Sequence, residues 1–356
     1  WAALEAHRFR ELVPRLFHTE LEAVYEEKNR TLDNDGWKVM ETLNAAMFPT
    51  HQYGTQTTIG TIEHLKNPSI TEIKKYFDEY YAPNNMAVAL SGDIDFDETI
   101  RMIDEHFGKL KPSTAPTFTV EQEKPIAQPI VEEVSGPSAE NVAIAYRFPG
   151  MSSRDAQVLS MISAILYNGQ AGLIDLNLNQ QQKVLQAYGY DNQMKDYSVF
   201  RLGGSPRQGQ TLDQVKDMLL AQVELVKQGK FDDDLIPAII NDNKINLMRA
   251  YERNSERADA FVTAFIYDIP WADYVKRPED FAKITKQDVV EVAKKYLGNN
   301  YVLVYKRNDK NATAQKVEKP SITPVPVNRD AQSSYYQTFM SQQTSELSPV
   351  FVDYKA

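Results

Sequence analysis

The sequence predicts an α+β protein made of two repeated domains, each with helices packed on one face of an antiparallel sheet. The chain has 356 residues, which is enough for about two domains. Apolar residues make up 42% of the chain and charged residues 25%, as in ordinary globular proteins. One helix–turn–strand pattern also occurs twice, which favours a duplicated domain.

The two copies of this pattern lie at residues 63–88 and 279–304. Residues 63–80 align without a gap with residues 279–296, and each copy predicts a capped helix, an Asn-rich turn and an apolar strand. We therefore expect residues 69–88 to superpose on residues 285–304. The alternative is that two unrelated helix–strand units resemble each other by chance.

The other elements are predicted from capping signals and from the spacing of apolar residues. Asp95 and Thr211 are expected to cap helices that end near Gly108 and Gly229. Apolar and small residues alternate along 141–148, which is typical of a strand. Besides the two repeat copies, helices are expected at 15–33, 36–48, 96–107, 154–167, 171–182, 212–228 and 233–267, and strands at 130–134, 141–148, 184–190 and 197–203.

These elements divide the chain into a first domain at 1–115, a linker at 116–129, a second domain at 130–309 and a tail at 310–356. The tail is rich in Pro, Gln and Ser, which predicts an extended connector, and its residues 349–354 regain the pattern of a strand.

The first domain is expected to be truncated. Only 68 residues precede Ser69, whereas 155 positions separate Thr285 from residue 130, the start of the second domain. By this comparison about 85–90 residues are absent from the first domain, and a sequence that opens at Trp1 fits a piece of a longer protein. We expect exposed apolar surface and strand edges there, through which copies could form a homo-oligomer.

Charge and composition exclude several partners and sites. The chain carries 39 basic and 49 acidic residues, and its net charge of −10 argues against a nucleic-acid partner. No stretch approaches the ~20 apolar residues of a membrane span. The chain contains no cysteine, so a disulfide framework, a thiol nucleophile and a Cys-ligated metal are excluded.

The histidines do not form a local zinc-binding motif. None of them lies in an H-x-x-E-H or H-E-x-x-H pattern, so each is interpreted as a surface or packing residue. The five are His7, His18, His51, His64 and His106.

Two carboxylates in the first long helix form the candidate site. Glu20 and Glu27 are seven residues apart, or about two turns, so they project from nearly the same face. Composition alone favours a solvated acidic face. The apolar residues around them are expected to form a buried stripe, which consists of Leu16, Phe17, Leu21, Val24 and Tyr25.

Several runs of residues resemble the insulinase/pitrilysin family of inverzincin zinc metallopeptidases. The resemblance is clear over residues 1–110 and weaker over 130–309. It implies an insulinase-like metallohydrolase fold and a zinc metalloendopeptidase that cleaves peptides or unfolded proteins between two clamshell halves. The runs are EAHRF (5–9), FHTELEAVYEE (17–27), HQYG (51–54), IGT (59–61), YYAPNNM (80–86) and GD (92–93).

The resemblance also implies roles for particular residues. Glu27 matches the zinc ligand that follows H-x-x-E-H, and Glu20 matches an acidic residue that supports the site. Three protein ligands leave zinc a position for water, whose pKa then falls. In the other half of the family's proteins an Arg and a Tyr seven residues apart contact substrate. Tyr188 matches this Tyr as a possible substrate contact, but Gln181 stands in place of the Arg.

This chain is therefore expected to be the zinc-bearing half without its histidines. The missing N-terminal segment would hold H-x-x-E-H and the general base, and the tail would lead to a missing C-terminal half. The parent protein would bind zinc, whereas this chain alone would neither bind catalytic zinc nor hydrolyse peptides. A non-catalytic structural or peptide-binding subunit remains the alternative. The sequence leaves the compartment unknown, with a bacterial periplasm or cell envelope as the expectation.

Overall fold

The computed structural model describes residues 1–10, 12–66, 68–114, 119–120, 122–310, 328 and 330–342. A 3₁₀ turn at Pro83–Asn85 and a π-helical segment at Asp175–Asn179 accompany the α-helices. The helices are α1 (Ala2–Arg10), α2 (Phe17–Asp33), α3 (Asp35–Met47), α4 (Gln52–Thr55), α5 (Ile62–Lys66), α6 (Ile70–Tyr80), α7 (Phe96–Phe107), α8 (Arg154–Leu166), α9 (Leu212–Lys227), α10 (Leu235–Ala250), α11 (Asn254–Ile266), α12 (Trp271–Tyr274), α13 (Arg277–Phe281), α14 (Lys286–Tyr296) and α15 (Ser334–Ser341). No helix in the described ranges combines the length and the apolar character needed to cross a membrane.

One five-stranded sheet lies in the second predicted domain. Its strands are β1 (Ile130–Gly136), β2 (Asn141–Pro149), β3 (Gln186–Gln193), β4 (Tyr197–Ser205) and β5 (Tyr301–Asn308), in the order β1-β5-β2-β4-β3. All neighbours pair antiparallel except β1 and β5, which are parallel, so the sheet is mixed at one edge. Nearly the whole domain separates these two strands in sequence, and no hairpin constrains their direction.

The sheet is covered differently on its two faces. On one face α8, α9 and α14 bury the main core, in which Ile162, Val215 and Val289 pack with strand residues such as Phe200. On the other face α3, from the first predicted domain, packs against β5 and β2. The contacting residues on this second face include Val39, Leu43 and Met47 of α3 and Ala145, Val199 and Val302 of the sheet.

A buried ion pair fixes α3 to the sheet. Lys306 is fully buried, and its Nζ lies 2.9 Å from Oδ2 of Asp35, whose side chain is 4% exposed. The backbone N–H and hydroxyl of Ser138 donate to the same carboxylate at 2.9 and 2.6 Å. Burial alone would raise the pKa of Asp35, but the hydrogen bonds from Ser138, Lys306 and Lys38 outweigh it and hold that pKa well below its usual range.

The helices before and within the second domain repeat in the same order. The lengths of α2 to α6 are 17, 13, 4, 5 and 11 residues, and those of α10 to α14 are 16, 13, 4, 5 and 11 residues. The Ser69 and Thr285 side chains each accept the backbone N–H three residues later, as predicted. The equivalence therefore extends well beyond the aligned positions of the sequence.

The strand half of the repeat differs between the copies. Residues 301–308 form β5, but residues 86–90 form no strand, so that prediction is wrong. A strand needs a hydrogen-bonded neighbour, and none of the described strands pairs with this segment. Val88 and Leu90 are 41% and 38% exposed as a result. The helical parts of the two copies correspond, and the strand parts do not.

Two helix predictions and the prediction for the tail also change. Of residues 171–182 only 173–179 are helical. The buried Asp175 accepts the backbone N–H of Asn168, Gly169 and Gly172 and holds the preceding loop in place. The long helix at 233–267 is two helices, since Arg253 adopts an extended backbone between them. In the tail, α15 replaces part of the extended connector. The predicted strand at 349–354 lies outside the described residues.

An open apolar groove of about 700 Å³ lies between the segment 90–96 and helices α10 to α13. Phe96 is 74% exposed beside it, and Phe261 and Trp271 are 46% and 41% exposed. The first predicted domain therefore carries exposed apolar surface. Association of copies through this surface stays a prediction.

Candidate functional site

Helix α2 carries the two candidate carboxylates and is held from one side. Tyr25 is fully buried, and its hydroxyl donates to the backbone carbonyl of Leu65. Lys28 is 5% exposed, and its Nζ lies 3.6 Å from Oε1 of Glu41 on α3. These contacts fix the rotation of α2 and determine which side chains face solvent.

Glu20 and Glu27 both lie on the solvent side of α2. Each side chain is exposed and makes neither a hydrogen bond nor an ion pair with the described residues. Their spacing of two turns places them on one face, as predicted.

The apolar stripe beside them is narrower than predicted. Tyr25 is buried and Leu21 is half-buried, but Leu16 is 51% exposed. Leu16 precedes the helix with a left-handed backbone of φ 58° and ψ 24°, which turns it away from the packed face. The prediction that Leu16 is buried is wrong for this reason.

The described residues do not complete a zinc site. Among them no three His, Asp or Glu side chains lie close enough together to hold a metal ion. Glu27 offers one carboxylate ligand, whereas a catalytic zinc takes three protein ligands. The donor set within the described ranges therefore fits a single ligand and not a whole site.

His51 belongs to a buried structural cluster. Its side chain is 1% exposed, and its Nδ1 accepts the backbone N–H of Tyr53 at 3.1 Å, so the proton lies on Nε2. Nε2 lies 3.3 Å from Oδ2 of Asp196 in the β3–β4 turn. Burial would raise the pKa of Glu123, but hydrogen bonds from the backbones of His51 and Thr50 lower it. The HQYG run thus joins the end of α3 to the sheet.

Tyr188 lies on β3, at the edge of the sheet. The residue is 36% exposed, and its phenol ring packs closely on Gly203 of β4. A Cβ at position 203 would come within 2.4 Å of the Tyr188 ring, so the close approach requires glycine. Gln181 is exposed in the turn before β3.

Sequence reasoning missed the residues that surround Tyr188. Arg201 on β4 is only 7% exposed; its Nη1 donates to the Tyr190 hydroxyl at 3.3 Å and its Nη2 to Oδ1 of Asn44 on α3 at 2.9 Å. The Tyr188 and Tyr190 ring centroids are 6.2 Å apart. We call Tyr188, Tyr190, Arg201 and Asn44 the tyrosine–arginine cluster. The alternation of the tyrosines was visible in the sequence, but the β3–β4 register that adds Arg201 was not.

Comparisons with known proteins show which family this chain is similar to. Residues 69–242 match the family model of the peptidase M16 inactive domain. The zinc protease PqqE of Helicobacter pylori is 26% identical over 291 residues, which are 79% of this chain and 64% of PqqE. These matches support the predicted resemblance to the insulinase/pitrilysin (M16) family. An uncharacterized zinc protease of Streptomyces coelicolor is 21% identical over 61% of this chain and 49% of its own length.

Solved structures of two peptidase-like proteins share the fold. A protease from Helicobacter pylori superposes with a TM-score of 0.77 and 22% identity over 86% of this chain and 76% of that chain. A peptidase M16 inactive domain from Pseudomonas fluorescens superposes with a TM-score of 0.73. It is 14% identical, and the match covers 92% of this chain and 76% of that chain. The predicted family and the mixed helix–sheet fold are therefore confirmed. The chain spans less than two thirds of the length of these two curated relatives.

Proposed function

We propose that this chain is part of a zinc-dependent metalloendopeptidase, to which it supplies one zinc ligand, Glu27, and a peptide-contacting surface. The main support is that Glu20 and Glu27 are exposed on one face of α2, while Tyr25 and Lys28 between and beside them are buried. The names of the curated relatives as zinc proteases support the same reaction. The H-x-x-E-H ligands and general base would come from a segment that precedes Trp1.

The anchoring of α2 suits a ligand role for Glu27. The carboxylate follows the buried Tyr25 by two residues and directly precedes the buried Lys28, so its backbone is held on both sides. Glu20 lies about 10 Å away along the helix axis, at 1.5 Å per residue. We therefore propose that Glu20 does not bind the metal. Its role is to orient neighbouring groups, and this tunes the metal site. Zinc, when bound, would supply a water of lowered pKa.

A cleavage assay on the full-length protein tests this proposal. An unstructured fluorogenic peptide should be cleaved, and a chelator should stop the cleavage. Glu27→Gln should abolish turnover because a charged ligand is lost, and Glu20→Gln should reduce it less. Glu22→Gln is the matched control, because Glu22 is exposed on the same helix but points about 200° away from Glu20.

Two results would contradict the proposal. Chelator-sensitive cleavage by the 356-residue chain alone would show that its site is complete. A full-length protein that cleaves nothing and binds no zinc would favour the non-catalytic alternative, a structural or peptide-binding subunit.

We also propose a bacterial periplasm or cell envelope as the compartment. The first half of the Escherichia coli protease PqqL, named periplasmic, has the same fold with a TM-score of 0.68. Cell fractionation followed by immunodetection of the full-length protein checks this, and a purely cytoplasmic signal would contradict it.

A further inference from the structure

The geometry points to the tyrosine–arginine cluster as a binding site for a carboxylate group of a polypeptide. The inference rests on the proposed function in one respect, that peptides are the ligands. It adds a specific recognition element, Arg201, at the border between α3 and the exposed face of β3.

Arg201 is a buried charge without an acidic partner. Arg201 is 7% exposed, and no carboxylate of the described residues lies within 4.0 Å of its guanidinium. Its two hydrogen bonds to described residues go to the neutral oxygens of Tyr190 and Asn44, and its buried Nε has no partner. Buried charges are normally paired, because desolvation disfavours the ion. The guanidinium therefore favours an anion from outside these residues.

The guanidinium is also held in place. Asn44 lies on α3, which is packed on the sheet, and Tyr190 lies opposite Arg201 in the β3–β4 register. Two of five N–H donors are used in these contacts, which leaves donors for a ligand. A fixed planar guanidinium is suited to two parallel hydrogen bonds with a carboxylate.

Tyr188 adds a further donor. Its hydroxyl makes no hydrogen bond with the described residues, and burial raises the pKa of Tyr188, so the phenol keeps its proton at neutral pH. Arg201 lies close enough to act on Tyr188 electrostatically. A ligand carboxylate placed between Tyr188 and Arg201 would accept hydrogen bonds from both side chains.

The face is open to a chain-like ligand. The outward residues of β3 are all exposed: Gln186, Tyr188, Tyr190 and Asn192. The two tyrosine rings offer apolar contact area beside a charged group, a combination that anchors peptides at interfaces. By contrast, α3 covers the same sheet face at β5 and β2.

Calorimetric titration of three N-acetylated decapeptides into the 356-residue chain tests the inference. All contain only Gly, Ser, Ala and Leu; the first has a free C-terminal carboxylate, the second a C-terminal amide, and the third an amide and one internal Glu. We expect the first or third peptide to bind at least about tenfold more tightly than the second. The peptide that gains affinity identifies the source of the carboxylate.

Variants assign the preference to the cluster. Arg201→Met should bind all three peptides equally, Arg201→Lys should keep part of the preference, and Tyr188→Phe should weaken it. Arg101→Met is the matched control, because Arg101 is exposed on α7, and it should leave the preference intact.

Melting of the unliganded protein separates binding from a structural role. Removal of an unpaired buried charge should leave the melting temperature of Arg201→Met unchanged or raise it. A lowered melting temperature with an unchanged carboxylate preference would overturn the inference. Equal binding of the three peptides, or no binding up to about 1 mM, would also overturn it. Neither result would affect chelator-sensitive cleavage by the full-length protein. Failure of the binding-site proposal can therefore be distinguished from failure of the proposed peptidase function.

Discussion

Replacement of Asp35 by Asn should destabilise the contact between α3 and the sheet. The change leaves Lys306, which is fully buried, without its counter-charge at 2.9 Å. It also replaces the carboxylate that accepts two hydrogen bonds from Ser138 and pairs with Lys38 at 3.2 Å. The variant thus tests whether this network holds the two parts of the chain together.

The expected magnitude follows from the geometry. At 2.9 Å and an effective dielectric constant of about 20, the attraction between Asp35 and Lys306 is roughly 6 kcal/mol, which the desolvation of both groups partly offsets. Removal of one partner from a buried pair typically costs about 3–5 kcal/mol. We expect Asp35→Asn to lower the free energy of unfolding by this amount. The double variant Asp35→Leu/Lys306→Met should lose much less, because no charge is left unpaired.

The effect should depend on pH. Asp35 has a lowered pKa in the folded state, so its stabilising effect is present above the unfolded value of about 3.9 and is lost as the pH falls below it. The difference in the free energy of unfolding between the wild type and Asp35→Asn should reach its maximum by pH 7. It should shrink below about pH 4.

Urea unfolding followed by tryptophan fluorescence measures both effects. Trp37 lies on α3, two residues after Asp35, and reports on this region. Lys295→Met is the control, because its pair with Asp155 is exposed and should contribute less than about 1 kcal/mol. A loss below about 1 kcal/mol for Asp35→Asn, or an unchanged difference at low pH, would refute this reasoning.

Four further substitutions test other contacts. Ser69→Ala and Thr285→Ala should each lower the free energy of unfolding by about 1 kcal/mol, because each removes a helix cap. Urea unfolding curves of the two variants should show similar losses. A large difference between the two losses would argue against equivalent helices. Tyr25→Phe should cost about 1–3 kcal/mol in the same assay, since it leaves the buried carbonyl of Leu65 unpaired. Gly203→Ala should displace the Tyr188 ring and weaken carboxylate binding, and unchanged titrations would contradict that placement.

Features set by neighbouring residues were predictable from the sequence. Asp95, Thr211 and Thr285 cap helices as expected, because a cap depends on a side chain and a backbone N–H only three residues away. The face shared by Glu20 and Glu27 also follows from helix geometry alone.

Features set by distant pairing were not predictable. The parallel pairing of β1 with β5 and the missing strand at 86–90 depend on which neighbour each segment finds. Arg201 joins Tyr190 only through the register of two strands, and Asn44 joins them only because α3 packs on that face. Leu16 left the predicted stripe because of a single left-handed backbone position.

The zinc affinity of the full-length protein tests the central claim most directly. Competition with a chelator of known affinity should show one tightly bound zinc in the wild type and in Glu22→Gln. We expect Glu20→Gln to weaken zinc binding by about 10- to 100-fold, as for residues that orient ligands, and Glu27→Gln to weaken it by more. Zinc bound by Glu27→Gln as tightly as by the wild type would contradict the assignment of Glu27 as a ligand.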